Sequence, residues 1–89
     1  MAWKIEFTIQ AAKQFDKLDK TVQARIAKFL NSRLAKMDDP RQLGKSLQGT
    51  LSDYWVYRVG DYRLLAIFED HRLVIVLTDI AHRRHVYKT

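Results

Sequence analysis

The last eight residues of the chain gather the side-chain types that RNA cleavage without a metal ion requires. They read His82-Arg83-Arg84-His85-Val86-Tyr87-Lys88-Thr89. Attack of a ribose 2′-hydroxyl on the adjacent phosphorus needs a base, cations for the charge on the phosphorane, and an acid for the departing 5′ oxygen. Histidine can move protons at neutral pH, tyrosine can donate or orient, and arginine stays charged. The segment therefore predicts chemistry on phosphate, and the alternative is a solvated basic terminus.

A second candidate group is a pair of arginines on a predicted β-hairpin. Runs rich in aromatic and β-branched residues flank Gly60-Asp61, a dipeptide typical of two-residue hairpin turns. Across such a turn Arg58 is the direct partner of Arg63. Like charges in that position destabilise a sheet, whereas two guanidinium groups side by side can hold one phosphate. The pair is either an anion site or two solvated arginines that splay apart.

Four aromatic side chains lie on the same hairpin and could stack on unpaired bases: Tyr54, Trp55, Tyr57 and Tyr62. Because Trp55 and Tyr57 point away from the face of Arg58, we expect these two to pack as core beneath the helices. The lysines and arginines on the helices are expected to form a solvated face; they include Lys13, Lys17, Arg25 and Lys28.

The elements that must position these groups follow the order β-α-α-β-β-β. The predicted elements are a strand over residues 3–8, helices over 9–18 and 20–37, and strands over 54–59, 62–69 and 72–80. Asp39-Pro40 ends the second helix, because proline cannot continue it. We predict an α+β fold, an antiparallel three-strand meander with the first strand added at an edge or beside the last strand. A helical hairpin would cover one face and leave the other open.

Composition narrows the class of protein. With 89 residues we expect one domain over residues 1–89, and 16 Lys and Arg against 10 Asp and Glu give a net charge of +6. That charge favours a polyanionic partner such as nucleic acid or an acidic protein, or a membrane surface. There is no cysteine, no signal-peptide pattern and no membrane-length apolar run. We expect a cytoplasmic protein without a membrane partner, a metal site or a cofactor.

The chain resembles the RelE/ParE superfamily of type II toxins over nearly its whole length. The segments that carry the resemblance are Leu43-Gly44-Lys45-Ser46-Leu47-Gln48-Gly49, Tyr57-Arg58-Val59-Gly60-Asp61-Tyr62-Arg63-Leu64 and His82-Arg83-Arg84-His85-Val86-Tyr87. The resemblance is to the RelE-like branch. It implies a RelE-type fold, a cognate acidic RelB-like antitoxin, and metal-independent cleavage of translated mRNA on the ribosome. Operator DNA would be contacted only through the antitoxin.

The resemblance also implies roles for individual residues. Arg63 matches the arginine that contacts the reacting phosphate, Arg83 the second active-site arginine, and Tyr87 the tyrosine that orients the substrate. The best-known members have two lysines on the preceding strand where this chain has Val56 and Arg58, so His82 or His85 would have to act as the base. RNA or phosphate binding is assigned to the following basic residues: Arg58, Lys45, Arg84 and Lys88.

Two other functions remain as alternatives. A ParE-like toxin would inhibit DNA gyrase and would have no nuclease activity. A plain nucleic-acid-binding module would hold phosphate with Arg58 and Arg63 and perform no chemistry. The intact set of arginine, histidine and tyrosine favours the nuclease.

Overall fold

The computed structural model describes residues 2–82. The strands are β1 (Lys4–Phe7), β2 (Lys45–Ser46), β3 (Trp55–Val59), β4 (Tyr62–Glu69) and β5 (Val74–His82), and the helices are α1 (Ile9–Asp16) and α2 (Lys20–Lys28). The predicted α+β class is confirmed. No helix within these described residues is long and apolar enough to cross a membrane.

The five strands form one sheet in the order β1-β5-β4-β3-β2. The pairs β2–β3, β3–β4 and β4–β5 are antiparallel, which confirms the predicted meander. Strand β2 is a two-residue strand that the sequence did not indicate. Strand β1 lies at the edge beside the last strand, as predicted, but it runs parallel to β5. The antiparallel description therefore holds for the meander and not for β1.

The helices begin at side-chain caps. Thr8 accepts a hydrogen bond from the backbone N–H of Ala11, and Asp19 accepts one from that of Val22. After α2 the chain continues as a π-helical turn over Phe29–Arg33 and a 3-10 turn over Leu34–Lys36. The helical conformation thus extends close to the predicted end at residue 37, although its hydrogen-bond pattern changes at Phe29.

The core lies between the helices and one face of the sheet. Ile26, Leu30 and Leu34 of the helical segment are buried. Strand residues that pack in the same core include Tyr57, Leu64, Ile75, Leu77 and Ile80. Apolar side chains removed from water on these facing surfaces supply the main driving force for the fold. As predicted, Tyr57 is buried beneath the helices, and Trp55 packs against the core while remaining half-buried.

A β-bulge interrupts the pairing of β4 with β5. Leu65 pairs with Asp79, but Ala66 pairs with Leu77, so Thr78 is an extra residue in β5. The Thr78 hydroxyl donates to the backbone oxygen of Leu65, 3.3 Å away. Because one residue is inserted, every side chain of β5 after Thr78 changes face relative to an uninterrupted strand.

Candidate functional site

The hairpin of β3 and β4 positions the two arginines as the sequence predicted. Arg58 is the direct partner of Arg63, and Val59 is that of Tyr62. Gly60 has a φ of 58°, while Asp61 is not in the positive-φ region, which is the pattern of a type II′ turn. Directly opposed residues have Cβ atoms about 4.5–5.5 Å apart. The turn therefore holds two permanent positive charges on one face of the sheet.

These arginines line a cleft of about 520 Å³. The residues around the cleft come from the helical segment, the loop with β2, and the hairpin: Phe29, Arg33, Leu43, Lys45, Ser46, Leu47, Val56, Arg58 and Arg63. Four of these described residues are basic and none is acidic. A concave surface with this lining concentrates positive potential, so it attracts anions.

Lys45 reaches the cleft through the short strand β2. It is the cross-strand partner of Val56, and Val56 precedes Arg58 by two positions on the same face of β3. Lys45 and Arg58 are both exposed, whereas Arg63 is half-buried. The structure thus brings together three of the predicted phosphate-contacting residues, Lys45, Arg58 and Arg63. Their roles remain predictions.

The loop that carries Lys45 is fixed from below by Tyr57. The Tyr57 hydroxyl donates to the backbone oxygen of Pro40 at 2.9 Å. Burial raises the pKa of Tyr57, so this phenol stays protonated and remains a donor. Gly44 lies so close to the same ring that a Cβ atom added there would come within 2.9 Å of it. Close packing of loop and ring gives the cleft a defined edge.

Arg41, the residue after Pro40, adds a second anchor at the start of this loop. Its guanidinium group makes two hydrogen bonds of 2.9 Å to the carboxylate of Asp70 and lies 4.2 Å from the ring centroid of Phe68. This geometry combines a two-pronged ion pair with a cation–π contact. The hydrogen bond from Arg41 holds the pKa of Asp70 below its usual range.

The structure does not place His82 on the same face of the sheet as Arg58 and Arg63. His82 is the cross-strand partner of Tyr62, and their rings meet edge to face at a centroid distance of 5.3 Å. Tyr62 and His82 therefore share the face opposite to Arg63, whose partner on β5 is Ala81. The bulge at Thr78 sets this register for the end of β5. The assignment of His82 or His85 as the base remains a prediction.

Five predicted site residues lie outside the described part of the chain: Arg83, Arg84, His85, Tyr87 and Lys88. Their assigned roles stay predictions. Within residues 2–82, no group of three histidine, cysteine or carboxylate side chains is arranged to hold a metal ion.

Two cleft residues were missed by sequence reasoning. Phe29 was assigned to the apolar stripe of the second helix, and the helical cations were taken as a solvated face. The structure places Phe29 and Arg33 in the cleft wall. Their spacing of four residues, an aromatic and a cation on neighbouring helical positions, was the signal that could have indicated a shared surface.

Comparison with known proteins shows which class of protein has this fold. Residues 5–87 match the family described as ParE toxin of type II toxin-antitoxin system, parDE. The chain belongs to this family, within the RelE/ParE superfamily, which confirms the resemblance found in the sequence.

Several relatives and solved structures to which the chain is similar carry Rel names. The chain is 28% identical to Toxin RelG of Mycobacterium tuberculosis over 88 residues, which is 99% of both chains. It is similar to a chain in the toxin-antitoxin complex RelBE2 of the same organism, with a TM-score of 0.85 and 27% identity over 96% of this chain and 95% of that one. The isolated E. coli RelE toxin shares the fold, with a TM-score of 0.71 and 23% identity over 91% and 84%.

Proposed function

We propose that this toxin is a metal-independent endoribonuclease that cleaves translated mRNA on the ribosome. The observation that carries the proposal is the opposed pair of Arg58 and Arg63 in a cleft whose described lining has four cations and no carboxylate. Holding like charges opposite each other costs stability. An anionic phosphate between them would reverse that cost. The likeness to Toxin RelG and to the RelBE2 complex supports the RelE-like activity.

The proposed reaction is an internal phosphoryl transfer. The ribose 2′ oxygen forms a bond to phosphorus, the bond from phosphorus to the 5′ oxygen breaks, and the products are a 2′,3′-cyclic phosphate and a 5′-hydroxyl. Arg63 and Arg58 bind the non-bridging oxygens, whose negative charge grows in the transition state, and such preorganised donors accelerate the step. Lys45 contacts a neighbouring phosphate.

The remaining roles are assigned to the end of the chain. A base must take the 2′-hydroxyl proton and an acid must deliver one to the leaving oxygen. Because His82 faces away from Arg63, His85 is the proposed proton carrier. Arg83 is the second active-site arginine, Tyr87 orients the substrate, and Arg84 and Lys88 bind the RNA backbone.

The partner proposed for the toxin is an acidic RelB-like antitoxin. The support is the net charge of +6 and the likeness to a chain solved within a toxin-antitoxin complex. A negatively charged antitoxin would bind the basic cleft with an association rate that falls as salt is added. Any contact with operator DNA would be made through the antitoxin, and the site of action is the cytoplasm.

Primer extension on a translated messenger after brief induction tests the nuclease. The wild type is compared with Arg63→Ala and Tyr87→Ala, and Lys13→Ala serves as a control because this exposed lysine lies on α1, away from the cleft. We expect cuts within codons for the wild type and the control, and none for the two variants. Toxicity without cuts would overturn the nuclease proposal.

Inhibition of DNA gyrase is the second candidate, because the matching family carries the ParE name. In that case the wild type would arrest supercoiling by purified gyrase. Neither the wild type nor Arg63→Ala would then cut translated mRNA. A supercoiling assay with the wild type and Arg63→Ala separates gyrase inhibition from RNA cleavage.

A further inference from the structure

The cleft has a second wall that the proposed reaction does not use. This wall is the π-helical turn after α2, and its first and last residues, Phe29 and Arg33, both line the cleft. At Arg33 the backbone departs from helical angles, with φ −121° and ψ −63°, where the π turn gives way to the 3-10 turn. Interruptions of this type are frequent at functional sites. The turn places an exposed guanidinium group at the cleft, on the helical side of it.

The cleft is lined by both cations and apolar side chains. On the strand side, the apolar Val56 lies beside both Lys45 and Arg58, as the cross-strand partner of the first and the same-face neighbour of the second. On the helical side, Phe29 lies one turn before Arg33. Leu43 and Leu47 add further apolar surface. One isolated phosphate would use the cations and leave the apolar surface bare.

The size of the cleft also exceeds what one phosphate needs. Its 520 Å³ falls within the ~300–1,000 Å³ typical of pockets that hold a small organic ligand. A ligand that matches the lining has anionic groups separated by flat apolar ones. Single-stranded RNA has this pattern, since phosphates alternate with bases that can pack on aromatic and aliphatic side chains.

We propose that the π turn forms a subsite for the nucleotide next to the scissile bond. Arg33 binds the phosphate adjacent to the one held by Arg58 and Arg63. The unpaired base between them packs on the apolar wall that includes Phe29 and Val56. The inference rests on the proposed function for the identity of its substrate, and it adds Arg33 and Phe29 as binding residues.

The test measures binding of a fluorescent tetraribonucleotide, 2′-O-methylated so that it cannot be cleaved, as a function of salt. A 3′-mononucleotide, which has one phosphate, is measured in parallel. Arg33→Ala is compared with Lys28→Ala, which removes an exposed cation from the same helical segment outside the cleft. Thermal unfolding checks that each variant is folded.

We expect Arg33→Ala to weaken tetranucleotide binding about tenfold at ~50 mM salt. We also expect it to reduce the slope of log K against log salt by about 0.7, the value for one phosphate of a single strand. Mononucleotide binding and the Lys28→Ala variant should be unchanged. Arg33→Lys should restore the slope, because it restores the charge.

Two outcomes would overturn the inference in distinguishable ways. If the wild type binds the tetranucleotide and Arg33→Ala equals Lys28→Ala in affinity and slope, the subsite is absent while RNA binding stands. If the wild type binds no oligonucleotide, the subsite is absent, while the proposed nuclease is decided separately by primer extension on the translated messenger.

Discussion

Arg58 and Arg63 face each other directly across β3 and β4, two residues from a tight turn. Neither can neutralise the other, and the described lining of their cleft includes Lys45 and Arg33 but no carboxylate. Asp61 lines a smaller pocket of about 200 Å³ together with both arginines. Opposing the two cations costs the sheet some stability and concentrates positive charge where an anion can bind.

The first prediction is that Arg63→Gln makes the folded protein more stable and less active. Removing one of two opposed positive charges should raise the free energy of unfolding by about 0.2–1 kcal/mol at low salt. Cleavage should fall by about 100-fold, because one preorganised donor is lost. Urea unfolding at ~10 mM and 1 M salt checks the cause, since screening should remove most of the difference. Lys13→Gln is the control, and an equal gain there would show that only net charge matters.

The second prediction concerns the hydroxyl of Tyr57. Tyr57→Phe removes the donor to the backbone oxygen of Pro40 inside the protein. The free energy of unfolding should decrease by about 1–3 kcal/mol, since a buried carbonyl loses its partner. Tyr54→Phe on the same strand region, where the side chain is half-exposed, should change it by less than about 0.5 kcal/mol. Equal losses in the two variants would contradict the role given to this hydrogen bond.

The third prediction is a pH dependence from the pair of Arg41 and Asp70. The folded state lowers the pKa of Asp70, mainly through the hydrogen bond from Arg41. The unfolded state therefore binds the proton first as pH falls, so the stabilisation is present above about pH 5 and is lost below about pH 4. Asp70→Asn should be slightly less stable than the wild type at pH 7, and the difference in urea midpoint should shrink as the pH falls through the lowered pKa of Asp70. The effect is small because the pair is largely exposed.

Asp53→Asn provides the matched control, because Asp53 is an exposed carboxylate in the turn before β3. Its midpoint should follow that of the wild type throughout the titration. A gap between Asp70→Asn and the wild type that stays constant down to pH 3 would show that the ion pair is not its source.

The fourth prediction concerns the anchor of β5. Gln14 accepts a hydrogen bond from the backbone N–H of Ile80 at 2.7 Å and donates to Asp79 at 2.6 Å. Gln14→Ala should lower the free energy of unfolding by about 1–2 kcal/mol and speed hydrogen exchange of the Ile80 amide. Gln10→Ala removes an exposed contact to the same carboxylate, and should leave that amide protected. Unchanged exchange in Gln14→Ala would mean that the anchor has no role in β5.

The sequence by itself determined the features that depend on neighbouring residues. A two-residue turn at Gly60-Asp61 leaves one favourable register, so the pairing of Arg58 with Arg63 followed directly. The helix caps at Thr8 and Asp19 are equally local. The motifs at 57–64 and 82–87 indicate the superfamily, and the family match confirms it.

Tertiary structure decided the contents of the cleft. Arg33 is 30 residues from Arg63 in the chain, and only the packing of the helical segment on the sheet places both around one cavity. The parallel direction of β1 is a contact of the same long-range type, because Ile5 meets Ile75. Periodicity shows which face of an element is apolar, but it does not show which other element that face will meet.

The face of His82 was also decided by tertiary structure. If β4 and β5 paired without interruption from the turn that follows Glu69, His82 would lie on the same face as Arg63. The extra residue, Thr78, shifts the register by one and moves His82 to the face of Tyr62. A bulge is set by how two strands pair along their length, and the sequence of β5 alone has no mark for it. The candidate polar residues were therefore readable from the sequence, whereas the face on which His82 lies depended on one inserted residue.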